Sequence, residues 1–366
     1  MSSIAVVRIA DAPVKSDFGT GVASGGGAEI ARLDALTSIR FFAAMYVVVF
    51  HSRDLFSSWP HAVRNIVGSG NVAVGLFFIL SGFVLAYTYS DGWGSFRGTR
   101  RAFWVARLAR IYPLYLIAFV LFFPAAVIKP GPHPLGTGIL TISMLQGWTP
   151  LRWWNEPGWS LSVEAFCYAT FPALILLIRR VRGHWLLLVM AAAWVVDLGI
   201  ALCYSGRAEW FFRYSPVARF PEFVMGIALG KFFCERRTSF GMLFAISGAG
   251  ISLAVLMLAN LFPAIALHNG LLAPAFGLMI YGLACNDCGL SNSWLIRLGD
   301  ASYGVYILQT PVWIWLKALV GLFTRSNLNA SALFFVVYAL VLIIVCLLAA
   351  RFFEFPLRRV IREKLA

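Results

Sequence analysis

Apolar residues run through this chain in stretches of roughly 20, the length an α-helix needs to cross the hydrocarbon core of a bilayer. About ten such stretches are predicted, near 35–55, 71–90, 104–128, 159–178, 184–204, 217–234, 240–259, 263–284, 298–320 and 331–353. Short polar connections divide them, so the pattern predicts an all-α, polytopic membrane protein. The longest connection, 129–158, holds "KPGPHPLGTG" and "WTPLRWWNEPGW". Its prolines, glycines and tryptophans suit a folded loop at the membrane interface. The first 30 residues are rich in Gly, Ala and Ser, with no long apolar core ahead of a cleavage site. Residues 1–31 are therefore expected to form a disordered cytoplasmic tail, and 32–366 a single transmembrane domain.

Composition narrows the solvent. Hydrophobic residues make up 60% and charged residues 13%, and mean hydropathy is +0.80, more apolar surface than a water-soluble fold can hide. The net charge of +14 would suit nucleic acid if it were clustered, but the basic residues flank the apolar runs. They are read as membrane-edge charges, and no nucleic-acid partner is expected. Lys and Arg concentrate on alternate connections, which puts both termini in the cytoplasm. Of the six cysteines only Cys285 and Cys288 form a C-x-x-C pair, with no second pair and no nearby His. No metal site is expected from it.

Several charges lie inside the apolar runs. Arg40 and His51 stand eleven residues apart in the first. At about 100° per residue they fall roughly 20° beyond three full turns, on one helix face and roughly 16 Å apart along the axis. Lipid would penalise such a pair, so that face is expected to line an enclosed polar cavity. Snorkelling of Arg40 and an interfacial position for His51 are the plainer alternatives. Glu164 lies in the first turns of the fourth run, where a helix N-terminus also favours a carboxylate. Arg219 and Glu222 are spaced to pair with each other, and Asp197 has no local partner in sequence. On the cytoplasmic side, Arg107 and Arg110 aim two guanidinium forks one way, a geometry suited to phosphate oxygens. Together these residues fit an anionic cytoplasmic donor reaching a base on the far side. They fit equally a proton-coupled transporter.

The same segments resemble the acyltransferase-3 family of integral membrane O-acyltransferases, from residue 33 to 360. "LDALTSIRFFAAMYVVVFH" is similar to that family's opening helix, with its Arg, ten-residue gap and His. "NVAVGLFFILSGFVL", "RRAFWVARLARIYPLY", "WSLSVEAFCYATFP", "RFPEFVMGIALG", "LGDASYGVYILQTPV" and "FEFPLRR" resemble later motifs in the same order. Two positions depart from the pattern: Gln309 stands where the family often has His, and Gly75 where an acidic residue often precedes the Phe-Phe segment.

The resemblance implies a bacterial inner-membrane enzyme. It would move an acyl group, usually acetyl from acetyl-CoA, to a hydroxyl of a carbohydrate or glycolipid. His51 is then expected to be general base, since an imidazole titrates near neutral pH. Glu164 is expected to orient His51 or bind the sugar, and Arg40 to stabilise oxyanion charge. Arg107, Arg110 and Arg40 would hold the acyl-CoA donor, and Trp159, Arg219, Glu222 and Gln309 the acceptor. Ser81 and Ser302 are conceivable nucleophiles, although small-residue helix packing explains both. The competing function is a transporter or flippase of a glycolipid or small anion.

Overall fold

The computed structural model describes residues 31–91, 95–129, 131, 133–151, 154–204, 206–323 and 331–365. The expected disordered tail, apart from residue 31, lies outside the described residues. The helices are α1 (Asp34–His51), α2 (His61–Gly68), α3 (Ala73–Tyr89), α4 (Arg100–Ile128), α5 (Pro134–Ile142) and α6 (Trp159–Ile178). They continue with α7 (His184–Leu202), α8 (Glu209–Tyr214), α9 (Pro216–Glu235), α10 (Gly241–Met257) and α11 (Ala264–His268). The last are α12 (Ala273–Cys285), α13 (Ser293–Asp300), α14 (Ser302–Gly321), α15 (Ala332–Ala349) and α16 (Phe355–Leu365). Among the described residues the strand content is one two-residue antiparallel pair, Ser90–Asp91 against Ser95–Phe96.

Each of the ten predicted stretches holds a helix, but among the described residues seven candidate spans are long and apolar enough to cross a membrane by length and composition. The difference has a physical cause. α10 is apolar but only 17 residues long, α9 carries Arg219, Glu222 and Lys231, and the apolar run of α14 is diluted by Gln309 and Lys317. Stretches read as loops also fold: α2, α5 and α13 are helices of 8, 9 and 8 residues, too short to show as spans. Large apolar side chains including Leu116, Val120, Val195, Ile246 and Leu340 stay exposed. Outward Leu, Val and Ile of this kind mark a bundle whose surrounding solvent is lipid.

Close backbone approach holds the centre together. α3 and α9 meet so tightly that a Cβ on Gly226 would strike the carbonyl of Ile79, and one on Gly82 the carbonyl of Phe223. Small residues here let dispersion contacts act between helices, since lipid removes any hydrophobic drive between them.

Prolines inside helices free carbonyls that side chains then satisfy. Pro311 cannot donate to Ile307, and Asn155 Nδ2 donates to that carbonyl instead at 3.0 Å. Pro172 likewise frees the Tyr168 carbonyl, which accepts from Trp104 Nε1 at 3.1 Å.

One end of the bundle is tied by polar side chains meeting loop backbone. Lys231 Nζ donates to the carbonyls of Ile178, Arg179 and Val181 at 2.7, 2.8 and 2.6 Å. At the same end Glu235 accepts from the Gly183 N–H at 2.7 Å, and Tyr281 donates to the Arg236 carbonyl at 2.8 Å. At the other end Asn65 Nδ2 donates to the Met257 carbonyl at 2.9 Å and to Asn260 Oδ1 at 2.8 Å. α15 passes into a π-helical turn, Ala350–Glu354, which leads into the amphipathic α16.

Candidate active site

α1 presents Arg40 and His51 at different levels. His51, its last residue, is exposed, and its ring packs edge-on against Phe50 with centroids 5.2 Å apart. His51 Nδ1 lies 2.9 Å from Gln309 Oε1 on α14. Gln309 is itself buried and held from two sides. Its Nε2 donates to the Tyr306 carbonyl at 2.7 Å, and its backbone carbonyl accepts from the Tyr338 hydroxyl at 3.0 Å. Because the amide nitrogen is committed to Tyr306, Oε1 must face the imidazole, and an amide oxygen can only accept. Nδ1 is therefore the donor, and in the neutral ring the lone pair falls on Nε2.

Arg40, six residues into α1, belongs to a second constellation, shared with residues of α4 and α6. Its charged neighbours are Arg110, Glu164 and Asp300. Glu164 in turn feels Arg110, Arg40 and Arg107, and its Oε1 accepts from the Tyr168 hydroxyl one turn later at 3.2 Å. The Ser81 hydroxyl lies 3.5 Å from the same phenol oxygen. The Arg107 guanidinium carbon sits over the rings of Tyr89, Phe103 and Tyr168, 5.6 to 5.9 Å from their centroids. It donates to the Tyr89 hydroxyl at 3.3 Å, and its buried Nε has no hydrogen-bond partner among the described residues. Arg40, Arg107, Arg110 and Glu164 all keep part of their surface open despite lying within the bundle.

The structure thus brings Arg40, Arg107, Arg110 and Glu164 together and sets His51 apart from them, beside Gln309. Glu164 is not the residue that meets His51; its helix turns it into the arginine cluster. Sequence reasoning left out Tyr168, Asp300 and Glu354, which surround the same arginines. The signal for Glu354 was available: a lone carboxylate closing the apolar run of α15.

Arg219 and Glu222 occupy a separate, closed region. They pair at 2.9 Å with exposures of 0% and 3%, and Arg219 Nη1 donates to the His268 carbonyl and to Asn269 Oδ1, each at 2.6 Å. Asp197, buried on α7, is the partner that sequence could not supply, since its charge acts on Arg219. Gly75 faces this network: a Cβ there would lie 2.5 Å from Glu222 Oε1, so glycine leaves room for that carboxylate. Trp159, at the start of α6, is buried against Phe78, Tyr214 and His268 and borders the same region. Among the described residues no cluster of His, Cys, Asp and Glu could hold a metal ion.

Comparison with known proteins places these features. The profile of the acyltransferase domain family, acyltransferase-3, matches residues 33–351. The chain is 30% identical to the acyltransferase MdmB of Streptomyces mycarofaciens over 80% of its own length and 82% of that protein's. It is 29% identical to the exopolysaccharide production protein ExoZ of Rhizobium meliloti, covering 66% of this chain and 76% of the relative. It is 25% identical to nodulation protein 10 of Rhizobium leguminosarum, covering 80% and 89%. No solved structure matches significantly. With the family profile running from the first turn of α1 into the π-helical turn after α15, the chain belongs to the acyltransferase-3 family of membrane acyltransferases.

Proposed function

We propose that this protein is an O-acyltransferase that moves an acyl group, acetyl foremost, from cytoplasmic acyl-CoA to a hydroxyl of a carbohydrate or glycolipid. In this reading it sits in a bacterial inner membrane with both termini in the cytoplasm. Residues from 32 onward form one transferase domain. That the Rhizobium meliloti relative is an exopolysaccharide production protein favours a saccharide acceptor.

The observation that carries the reading is the division of labour along α1. One level holds Arg40 among Arg107, Arg110 and Glu164; the other, roughly 16 Å along the axis, holds an imidazole whose Nδ1 is engaged by the Gln309 amide oxygen, leaving Nε2 for the substrate. Coenzyme A is polyanionic at one end and carries its thioester on a long arm, so a cation-rich level and a distant base match its two ends.

His51 Nε2 takes the proton of the acceptor hydroxyl as that oxygen attacks the thioester carbonyl. The tetrahedral oxyanion collapses, the C–S bond breaks, and the imidazolium returns its proton to the leaving thiolate. The products are an O-acyl ester and free coenzyme A. The separation along α1 gives Arg40 to the donor arm rather than to the oxyanion. Gln309 holds the ring in the reactive tautomer, and Glu164 keeps the arginines apart and oriented.

Purified protein in liposomes tests this against the carrier alternative. Consumption of acetyl-CoA with stoichiometric ester formation on an added glycan is expected. Solute flux with the thioester left intact would overturn the enzymatic reading.

A further inference from the structure

The basic residues of the last helix read from sequence as ordinary cytoplasmic charge. Their placement assigns one of them more. α16 packs antiparallel to the start of α4, and Arg101 Nε donates to the Leu365 carbonyl at 3.2 Å, which sets the register. From that tie Arg358 lies seven residues back along α16, about 10.5 Å, while Arg107 and Arg110 lie about 9 and 13.5 Å along α4. Arg358 therefore stands level with the gap between the two arginines. Its charged neighbours are Arg110, Arg107 and Arg362, with Glu354 as the acidic one.

The balance of charge around this point is uneven. Among the described residues Arg40, Arg107, Arg110 and Arg358 gather around Glu164, Asp300 and Glu354, more guanidinium groups than carboxylates in a half-buried place. Among the described residues neither carboxylate oxygen of buried Glu354 has a hydrogen-bond partner, and the Arg107 Nε donor has none either. Like charges gathered out of bulk water repel unless an anion joins them. Guanidinium forks are shaped for phosphate oxygens in particular. We infer that Arg358 of α16, with Arg107 and Arg110 of α4, forms a three-arginine clamp for the phosphates of the donor nucleotide. The inference rests on the acyl-CoA reading above. It gives a ligand-binding role to a helix that lies beyond the stretch matched by the family profile.

The test measures coenzyme A binding to the full chain in nanodiscs, once in neutral phosphatidylcholine and once with anionic phosphatidylglycerol. Arg358→Ala is expected to weaken binding about tenfold or more in both lipids, and Arg358→Lys to keep part of the affinity because the cation remains. Inorganic pyrophosphate is expected to compete with coenzyme A in the wild type and to lose that effect in Arg358→Ala. Arg359→Ala is the control. Arg359 neighbours Arg358 in sequence but is exposed and pairs outward with Glu363 at 2.8 Å, so its loss leaves affinity unchanged. Equal coenzyme A affinity in wild type and Arg358→Ala overturns the clamp while leaving the donor reading intact. Loss of co-purified phosphatidylglycerol by Arg358→Ala, at unchanged coenzyme A affinity, reassigns the arginines to lipid headgroups and also overturns it. A wild type that binds no coenzyme A removes the donor reading itself.

Discussion

His51 and Gln309, 258 residues apart in sequence, meet through a 2.9 Å hydrogen bond that dictates which imidazole nitrogen is free. Gln309→Leu removes the acceptor but keeps the bulk, so the ring is no longer held as the Nδ1–H tautomer. Turnover is expected to fall on the order of tenfold or more, with acceptor KM little changed. Gln309→Glu is the sharper variant. A carboxylate favours the imidazolium, which cannot act as base, so activity should appear only at higher pH. The measurement is the acidic limb of the kcat/KM profile, and a limb in the wild-type position would exclude Gln309 as the orienting group.

His51→Ala removes the base but no packing of consequence, because the side chain is exposed at the end of α1. The variant is expected to insert and stay monodisperse while kcat/KM drops by roughly 10²- to 10⁴-fold. Turnover near that of the wild type would mean that the acceptor proton goes elsewhere.

Arg107→Ala and Arg110→Ala address the donor end. Both residues lie among carboxylates and aromatic rings rather than beside His51, so their loss should weaken donor binding more than chemistry. The expected signature is an acyl-CoA KM raised by about tenfold or more at nearly constant kcat. Equal loss in kcat and kcat/KM would instead put these arginines at the reacting atoms.

Much of this arrangement is written locally in the chain. The helical period puts Arg40 and His51 on one face of α1 whatever surrounds them, and the i,i+3 spacing makes Arg219 and Glu222 natural partners. What sequence leaves open is which helix faces which. Glu164 and His51 look close when only membrane depth is counted, yet the packing of α6 sends Glu164 to the arginines. The place beside His51 goes to Gln309, which the sequence marked as a departure from the family pattern and an acceptor contact but not as a partner of the imidazole. Arg358 was masked by its neighbours, because a basic helix end needs no special explanation until the register of α16 on α4 is known. Asp197 had no partner within reach along its own helix, and Arg219 reaches it only through the packing of α7 on α9.

That last network makes its own prediction, and it is asymmetric. One guanidinium, Arg219, serves two buried carboxylates, Glu222 at 2.9 Å and Asp197 through its charge. Glu222→Gln leaves the cation with Asp197, a balanced pair, and should be mild. Arg219→Met leaves two carboxylates facing each other without a counter-charge and also orphans the His268 carbonyl and Asn269 Oδ1. Breaking a buried pair from one side typically costs about 3–5 kcal/mol, a large part of the stability of most domains. The thermal midpoint of Arg219→Met in detergent should therefore fall well below that of Glu222→Gln. In protein that remains folded, both variants should keep the wild-type acceptor KM, because the pair is sealed from solvent. A raised acceptor KM without loss of stability would instead make Arg219 a substrate contact.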